Sequence, residues 1–167
     1  PWKNTAELSF VNANGNVKAQ TTSAKDAFQY EFDTATKLEL EAGGLGARSE
    51  GRVVAEQYFA QEKVSQKVSD RNYVFERYRW DRNVFAGVLH RHDFSVGAGR
   101  ELFKTPKDLL IGELAPGYIN EERLNDRRKS YASARAYAKY TRELAATAKV
   151  SQDAEYTISL QDARDAR

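Results

Sequence analysis

Apolar and polar side chains alternate along most of this chain with a period of two residues. The clearest stretch is 151–160, in which Tyr156, Ile158 and Leu160 alternate with polar residues. Successive side chains of a β-strand point to opposite faces of a sheet, so this alternation predicts strands that are apolar on one face only. The pattern recurs about nine times along the chain. It therefore predicts an all-β protein.

The turns between these predicted strands are of two alternating kinds. One set is short and neutral to mildly polar, and the other is mostly longer and charged. The short turns are 33–36, 69–72, 105–108 and 145–147, and the longer ones are 44–52, 81–84, 120–129 and 161–167. A meander of antiparallel strands has this asymmetry when its ends face different environments, as in the transmembrane β-barrels of bacterial outer membranes. The prediction is a single antiparallel up-and-down transmembrane β-barrel domain over residues 1–167.

The composition is compatible with a membrane barrel and argues against other classes. No run approaches the roughly 18 apolar residues of a transmembrane helix, whereas a barrel strand needs only about 10 residues, half of them facing a polar lumen. A mean hydropathy of -0.72 is therefore no objection. With 26 basic and 24 acidic residues, the chain lacks the basic excess of a nucleic-acid-binding protein. The absence of Cys fits an exported protein.

Three local patterns bear on the strand boundaries. Asn14-Gly15 is a strong hairpin signal because both residues tolerate a positive φ. The stretch 132–148 is rich in good helix formers, but its alternation at i and i+2 favours a strand. The predicted strand around 54–68 alternates less cleanly, and its two faces cannot be assigned from the sequence.

The two faces of the predicted strands differ in charge. A soluble sandwich would bury the apolar face, whereas a membrane barrel turns it towards lipid and turns the charged face towards the lumen. Long strands, aromatic residues near strand ends and an Ala-rich apolar face favour the barrel. The predicted lipid-facing residues are Leu8, Phe10, Leu38, Leu40, Phe94, Val96, Leu110, Leu114, Tyr140, Tyr156, Ile158 and Leu160. The predicted lumen-lining charged residues are Glu7, Glu39, Glu41, Arg91, Asp93, Glu113, Arg135, Lys139, Asp153 and Glu155.

The lumen-lining set contains both signs of charge. It forms no single-sign ring of the kind that makes an ion-selective filter. Two interpretations stay open. The charges pair across the lumen and plug it, or they line a narrow passage for a solute or an ion.

The spacing of nucleophilic and metal-binding residue types does not support an enzyme. His90 and His92 share a strand face, but zinc needs about four ligands, and the nearest carboxylate, Asp93, lies on the other face. Ser95 follows His92 by three residues and so points away from it, and no Gly-rich nucleophile elbow is present. The glycine-rich stretches 43–46 and 97–99 do not lead into a helix, as a phosphate loop would. No catalytic residue, metal or cofactor is expected.

The charged loops 48–52 and 121–129 are expected to be solvated. The basic residues of the second loop are candidates to contact lipopolysaccharide phosphates: Arg123, Arg127, Arg128 and Lys129. The expected partners are thus outer-membrane lipid and lipopolysaccharide rather than nucleic acid. The sequence does not identify a protein partner.

Several short motifs follow one another in the order and spacing of a known family. They are Ala6-Glu7-Leu8-Ser9-Phe10 before Gly15-Asn16, Ala55-Glu56-Gln57-Tyr58, Asp81-Arg82 with Phe85-Ala86-Gly87, Gly97-Ala98-Gly99, and Pro116-Gly117-Tyr118. With these motifs the chain resembles the YdiY-like salt-induced outer membrane proteins over almost its whole length. The resemblance implies a closed, even-stranded barrel in the outer membrane of a Gram-negative bacterium. It implies no defined activity beyond a link to salt.

The strand count departs from what the resemblance implies. Similar family members continue with further strands, and outer-membrane barrels typically end in an aromatic residue, where this chain has Arg167. About nine strands cannot close the usual even-numbered barrel. The expectation is therefore that this chain lacks about three C-terminal strands of a barrel of about twelve.

The expected function is non-catalytic. It is a structural role, or a narrow solute or ion passage, in an envelope under salt or osmotic stress. The alternative is a soluble or periplasmic β-barrel that binds a small ligand in its interior. Detergent dependence separates the two, because a soluble binder should stay monodisperse without detergent.

Overall fold

The fold is a sheet of nine antiparallel strands, seen in a computed structural model that describes residues 1–13, 18–145 and 148–161. The strands are β1 (Trp2–Ala13), β2 (Ala19–Glu31), β3 (Thr36–Ser49), β4 (Arg52–Lys67), β5 (Asn72–Asn83), β6 (Val88–Lys104), β7 (Asp108–Arg123), β8 (Asp126–Ala145) and β9 (Ala148–Ser159). A single 3-10 turn, Val84–Ala86, interrupts the described strands. The all-β prediction and the strand count are confirmed. None of the described residues forms a helix long and apolar enough to cross a membrane.

Each strand pairs with its neighbours in sequence, so the sheet order runs from β1 to β9 without a crossover. This confirms the up-and-down topology. The sheet curls into a half-barrel, and β1 and β9 are not hydrogen-bonded to each other in the described residues. The stretch 132–148 lies mostly in β8 and is strand, as its alternation predicts. The predicted turn at Asn14-Gly15 lies outside the described residues.

The predicted difference between the two sets of turns is wrong. We call the end with the β2–β3, β4–β5 and β6–β7 turns the lower rim, and the opposite end the upper rim. At the upper rim β3 and β4 are joined only by Glu50 and Gly51, and β7 and β8 only by Leu124 and Asn125. The charged residues expected in long loops therefore continue the strands. Charge was a poor signal for loops here because one face of the sheet is itself charged.

The upper-rim turn at Glu50 and Gly51 shows why so short a link is allowed. Glu50 has a φ of 50° and Gly51 a φ of 78°. Positive φ at both central residues is what a two-residue type I′ hairpin requires, and its twist matches that of the strands. Glycine at the second position adopts this conformation without steric cost.

The lower-rim turn after β2 is fixed by Asp33. Its Oδ1 atom accepts the backbone N–H groups of Ala35 at 2.6 Å and Thr36 at 2.7 Å. These two hydrogen bonds stabilise the carboxylate and hold the pKa of Asp33 below its ordinary value. The side chain therefore acts as a local template for the turn.

The strand register places odd-numbered residues on the concave face through most of the sheet. Glu39 lies opposite Lys63, and Arg77 lies opposite Ser95. The buried residues of β4–β8 belong to this face, among them Phe75 and Ile119. Even-numbered residues lie on the convex face, where Leu8 is 81% exposed. The apolar face of this sheet is thus the exposed one.

Candidate functional site

The concave face of β4–β9 contains a connected group of buried charges centred on Glu113. The Glu113 side chain is 0% exposed. It accepts hydrogen bonds from the ammonium of Lys63, the hydroxyl of Tyr73 at 2.6 Å and Nη1 of Arg135 at 2.9 Å. Burial of a carboxylate is unfavourable unless donors replace its lost hydration. Three donors do so here.

A second carboxylate extends this group to the edge of the sheet. Glu155 on β9 accepts a hydrogen bond from Nη2 of Arg135 at 2.9 Å and forms an ion pair with Nη2 of Arg77 at 3.6 Å. Arg77 also donates from Nε to Gln61 at 2.9 Å and lies 3.5 Å from Asp93. We call Lys63, Tyr73, Arg77, Glu113, Arg135 and Glu155 the ionic bridge.

The ionic bridge joins strands that are not neighbours in the sheet. Lys63 on β4 and Tyr73 on β5 both reach Glu113 on β7. Arg77 on β5 reaches Glu155 on β9. The contact from β5 to β9 requires the sheet to curl until these strands face one another. The bridge therefore crosses the interior of the half-barrel and ties its walls together.

Small residues beneath the bridge make room for its long side chains. Gly99 on β6 lies under the Tyr73 ring, and a Cβ built on Gly99 would come within 2.2 Å of that ring. Without a side chain at Gly99, Tyr73 can cross β6 and reach Glu113. Ser95 and Ser133, also on the concave face, are almost fully buried. The small residues thus leave the space that the long side chains of the bridge occupy.

The convex face has a belt without charge. No carboxylate, amine, guanidinium or imidazole occurs at its even-numbered positions within 6–10, 22–24, 38–46, 58–60, 78–80, 94–98, 110–118, 130–140 and 150–160. Leu114 and Tyr156, near its centre, are each 70% exposed. Charged convex residues border this belt and narrow it to two positions on β4 and β5, where Glu62 lies opposite Leu40 and Glu76 lies opposite Val96.

Comparison with protein families identifies the chain at the family level. The model of a family described as "Protein of unknown function, DUF481" matches residues 6–167. The chain belongs to the DUF481 family. Neither a curated protein nor a solved structure gives a match. The family assigns no activity, so the function of this DUF481 chain has to be argued from its geometry.

The predicted lumen-lining charges of the DUF481 chain all lie on the concave face, but they do not form one site. Glu113, Arg135 and Glu155 belong to the ionic bridge, and Asp93 is buried beside Arg77. The others lie outside the bridge: Glu7, Glu39, Glu41, Arg91, Lys139 and Asp153. Glu39 pairs with Lys37, Glu41 with Lys25, and Arg91 with Glu121. The twelve predicted lipid-facing residues all lie on the convex face.

Sequence reasoning missed half of the ionic bridge. Lys63 was missed because the neighbouring Glu62 and Lys63 are both charged and leave the faces of β4 ambiguous. Tyr73 is one of several aromatic residues near strand ends, and nothing in the sequence distinguishes it from the others. Arg77 and Arg79 lie on the same face of β5 and mark that face as charged. The partner of Arg77 is Glu155, which lies four strands away in the sheet. Only the curl of the sheet brings these groups together.

The basic residues proposed for lipopolysaccharide do not share a loop. Arg123 ends β7 and its Nε lies 2.6 Å from Glu121, whereas Arg128 and Lys129 lie in β8. Arg128 is 3.3 Å from Glu122. The side chain of Arg127 lies outside the described residues. The expectation of a charged loop is therefore wrong, because these residues lie at the ends of β7 and β8, on either side of a two-residue turn.

The convex histidines form an aromatic array at the upper edge of the belt. Trp80 donates from Nε1 to Nδ1 of His90 at 3.2 Å, and the Tyr78 hydroxyl lies 2.7 Å from Nδ1 of His92. Among the described residues, no group of three or more His, Cys, Asp or Glu side chains is placed to hold a metal ion. Ser95 lies on the concave face, opposite to His92, so the two cannot form a catalytic pair.

Proposed function

We propose that this chain is an integral outer-membrane β-barrel protein with a non-catalytic role in the envelope. The observation that supports this most directly is the distribution of burial. Glu113 is buried on the concave face, whereas Leu114, the next residue, is 70% exposed on the convex face. A broad exposed apolar belt is unfavourable in water but suits a barrel whose outer face contacts lipid. The finer assignment to the YdiY-like salt-induced proteins is part of this proposal.

Spin labels at single cysteines test the orientation of the two faces. The chain contains no Cys, so Leu114→Cys and Thr141→Cys each carry one label, on the convex and the concave face respectively. In reconstituted bilayers, we expect oxygen to collide more often than a water-soluble nickel chelate with the label at 114. The reverse order is expected at 141. Preferential access of the nickel chelate to the label at 114 would rule out a lipid-facing belt.

The role that the ionic bridge supports best is a structural one, with the interior closed. The bridge spans the concave face of β4–β9 with hydrogen-bonded charges of both signs, most of them buried, and the described residues beside it form no ring of like charge. We expect planar bilayers containing the protein to show negligible conductance. Steady conductance that changes when Glu39, Glu41 and Arg135 are neutralised would instead support the narrow passage for a solute or ion.

The lipid partners remain part of the proposal. Arg128 is 66% exposed at the upper rim, where phosphate groups of lipopolysaccharide would meet a barrel embedded in the outer membrane. Neutralising Arg123, Arg127, Arg128 and Lys129 together should weaken binding to lipopolysaccharide micelles. Unchanged binding would remove lipopolysaccharide contact from the proposal without affecting the orientation of the faces.

A further inference from the structure

A cavity of about 750 Å³ lies on the concave face at the lower rim. It lies between the turn that contains Asp33 and the ionic bridge. Its β7 and β8 wall contains Leu109, Ile111 and Tyr137, whereas its β2–β4 wall is mostly charged. Cavities of roughly 300–1,000 Å³ with apolar walls and a few polar groups are typical of small-molecule sites.

Every carboxylate that lines this cavity already has a hydrogen-bond donor. The pairs are Glu31 with Gln29, Asp33 with the backbone of Ala35 and Thr36, Glu39 with Lys37, Glu101 with Lys104, and Glu113 with Lys63. Lysines neutralise Glu39, Glu101 and Glu113, whereas Glu31 and Asp33 accept hydrogen bonds from uncharged donors only.

The positive charge of the lining is not fully compensated. Lys67 and Lys139 both line the cavity, and neither ammonium forms an ion pair or hydrogen bond with a described residue. Asp153 lies directly opposite Lys139 on β9 but forms no ion pair with it. Lys139 is half-buried, and the hydroxyl of its neighbour Tyr137 likewise has no hydrogen-bond partner among the described residues. At the β8 wall of the cavity, beside Lys139, an anion is therefore the complementary ligand.

We propose that this cavity binds a small organic carboxylate with an apolar or aromatic body. The carboxylate of the ligand pairs with the ammonium of Lys139 and accepts a hydrogen bond from the hydroxyl of Tyr137. The apolar body of the ligand packs against Leu109 and Ile111. A charge-assisted hydrogen bond of this kind supplies orientation as well as affinity. This inference goes beyond the membrane proposal and requires only the concave-face geometry, so either can fail alone.

Calorimetric titration of the full chain with benzoate tests the site. Benzylamine, a cation of similar shape, is the ligand control. We expect saturable one-to-one binding of benzoate and none of benzylamine. Lys139→Gln should weaken benzoate binding by about tenfold, as loss of a charged hydrogen-bond donor does. Lys149→Gln is the matched control, because Lys149 pairs with Glu143 and does not line the cavity.

Tyr137→Phe provides a variant that keeps the ring and the packing of the cavity wall. We expect benzoate affinity to fall about tenfold, in line with loss of one hydrogen bond to a charged ligand. Far-UV circular dichroism and elution volume check that each variant is folded. The proposal is overturned if benzoate does not saturate, if benzylamine binds equally well, or if folded Lys139→Gln matches the wild type. If Lys139→Gln does not fold, unchanged affinity in Tyr137→Phe overturns it.

Discussion

The hydroxyl of Tyr73 on β5 lies 2.6 Å from the carboxylate of Glu113 on β7, although β6 separates the two strands. The contact depends on Gly99 of β6, over which the tyrosine ring lies. Two strand spacings are about 10 Å, a gap that the side chains of Tyr73 and Glu113 can span only because Gly99 presents no side chain between them. The ion pair of Arg77 with Glu155 crosses four strand spacings and is the contact that reports the curl of the sheet.

Replacing the central carboxylate should strongly destabilise the protein. In Glu113→Gln, the charges of Lys63 and Arg135 stay buried while their shared partner is lost. We expect the free energy of unfolding to fall by about 3–5 kcal/mol, measured by urea titration in detergent. Glu143→Gln is the control, because the Glu143–Lys149 pair is exposed and should contribute at most about 1 kcal/mol. Equal effects of the two variants would contradict a buried bridge.

Adding one methyl group beneath Tyr73 should disturb the bridge without changing any charge. A Cβ at residue 99 would lie within 2.2 Å of the Tyr73 ring, so Gly99→Ala should cost about 1–3 kcal/mol of stability. Gly46→Ala should change stability by less than about 1 kcal/mol, since its Cβ would meet nothing within 4 Å. In a Tyr73→Leu background the effect of Gly99→Ala should largely disappear. If it persists there, the Tyr73 contact is not its cause.

The free-energy cost of placing a cation in the charge-free belt should depend on its depth in the bilayer. Leu114→Arg lies at the centre of the belt, and we expect it to reduce stability in bilayers by about 2–4 kcal/mol. Gln152→Arg lies on the same face nearer the lower rim, where the cost should be about 0–1 kcal/mol. Refolding equilibria in vesicles measure both. Similar small values for the two variants would argue against a lipid-facing belt.

The Asp33 turn should lose stability in acid. Because the backbone N–H groups of Ala35 and Thr36 stabilise the carboxylate, the pKa of Asp33 is lower in the folded than in the unfolded chain. The contribution is present above the unfolded pKa and is lost as the pH falls through the folded pKa. An NMR titration of the Asp33 carboxyl carbon should give a lower midpoint in folded protein than in urea. An equal midpoint would show that the two hydrogen bonds do not persist in solution.

The sequence was sufficient for the strands and, except in β4, for their faces, because both follow from a period of two. Leu114 and Glu113 were correctly placed on opposite faces by alternation alone. The turn lengths were not predictable in this way, since Glu121 and Lys129 look like loop residues until a charged concave face is available to them. The pairing of Arg77 with Glu155 depends on curvature across four strand spacings. Alternation carries no information on curvature.

The ionic bridge lies within β4–β9 and includes no residue of β1–β3. In the described residues, no hydrogen bond or ion pair joins a side chain of β1–β3 to a strand beyond β4. These three strands are therefore attached mainly through the backbone ladder between β3 and β4. Backbone amides of β1–β3 should exchange with deuterium sooner than those of β5–β8, because local opening there breaks fewer contacts. Local unfolding of the sheet should therefore start at its N-terminal edge.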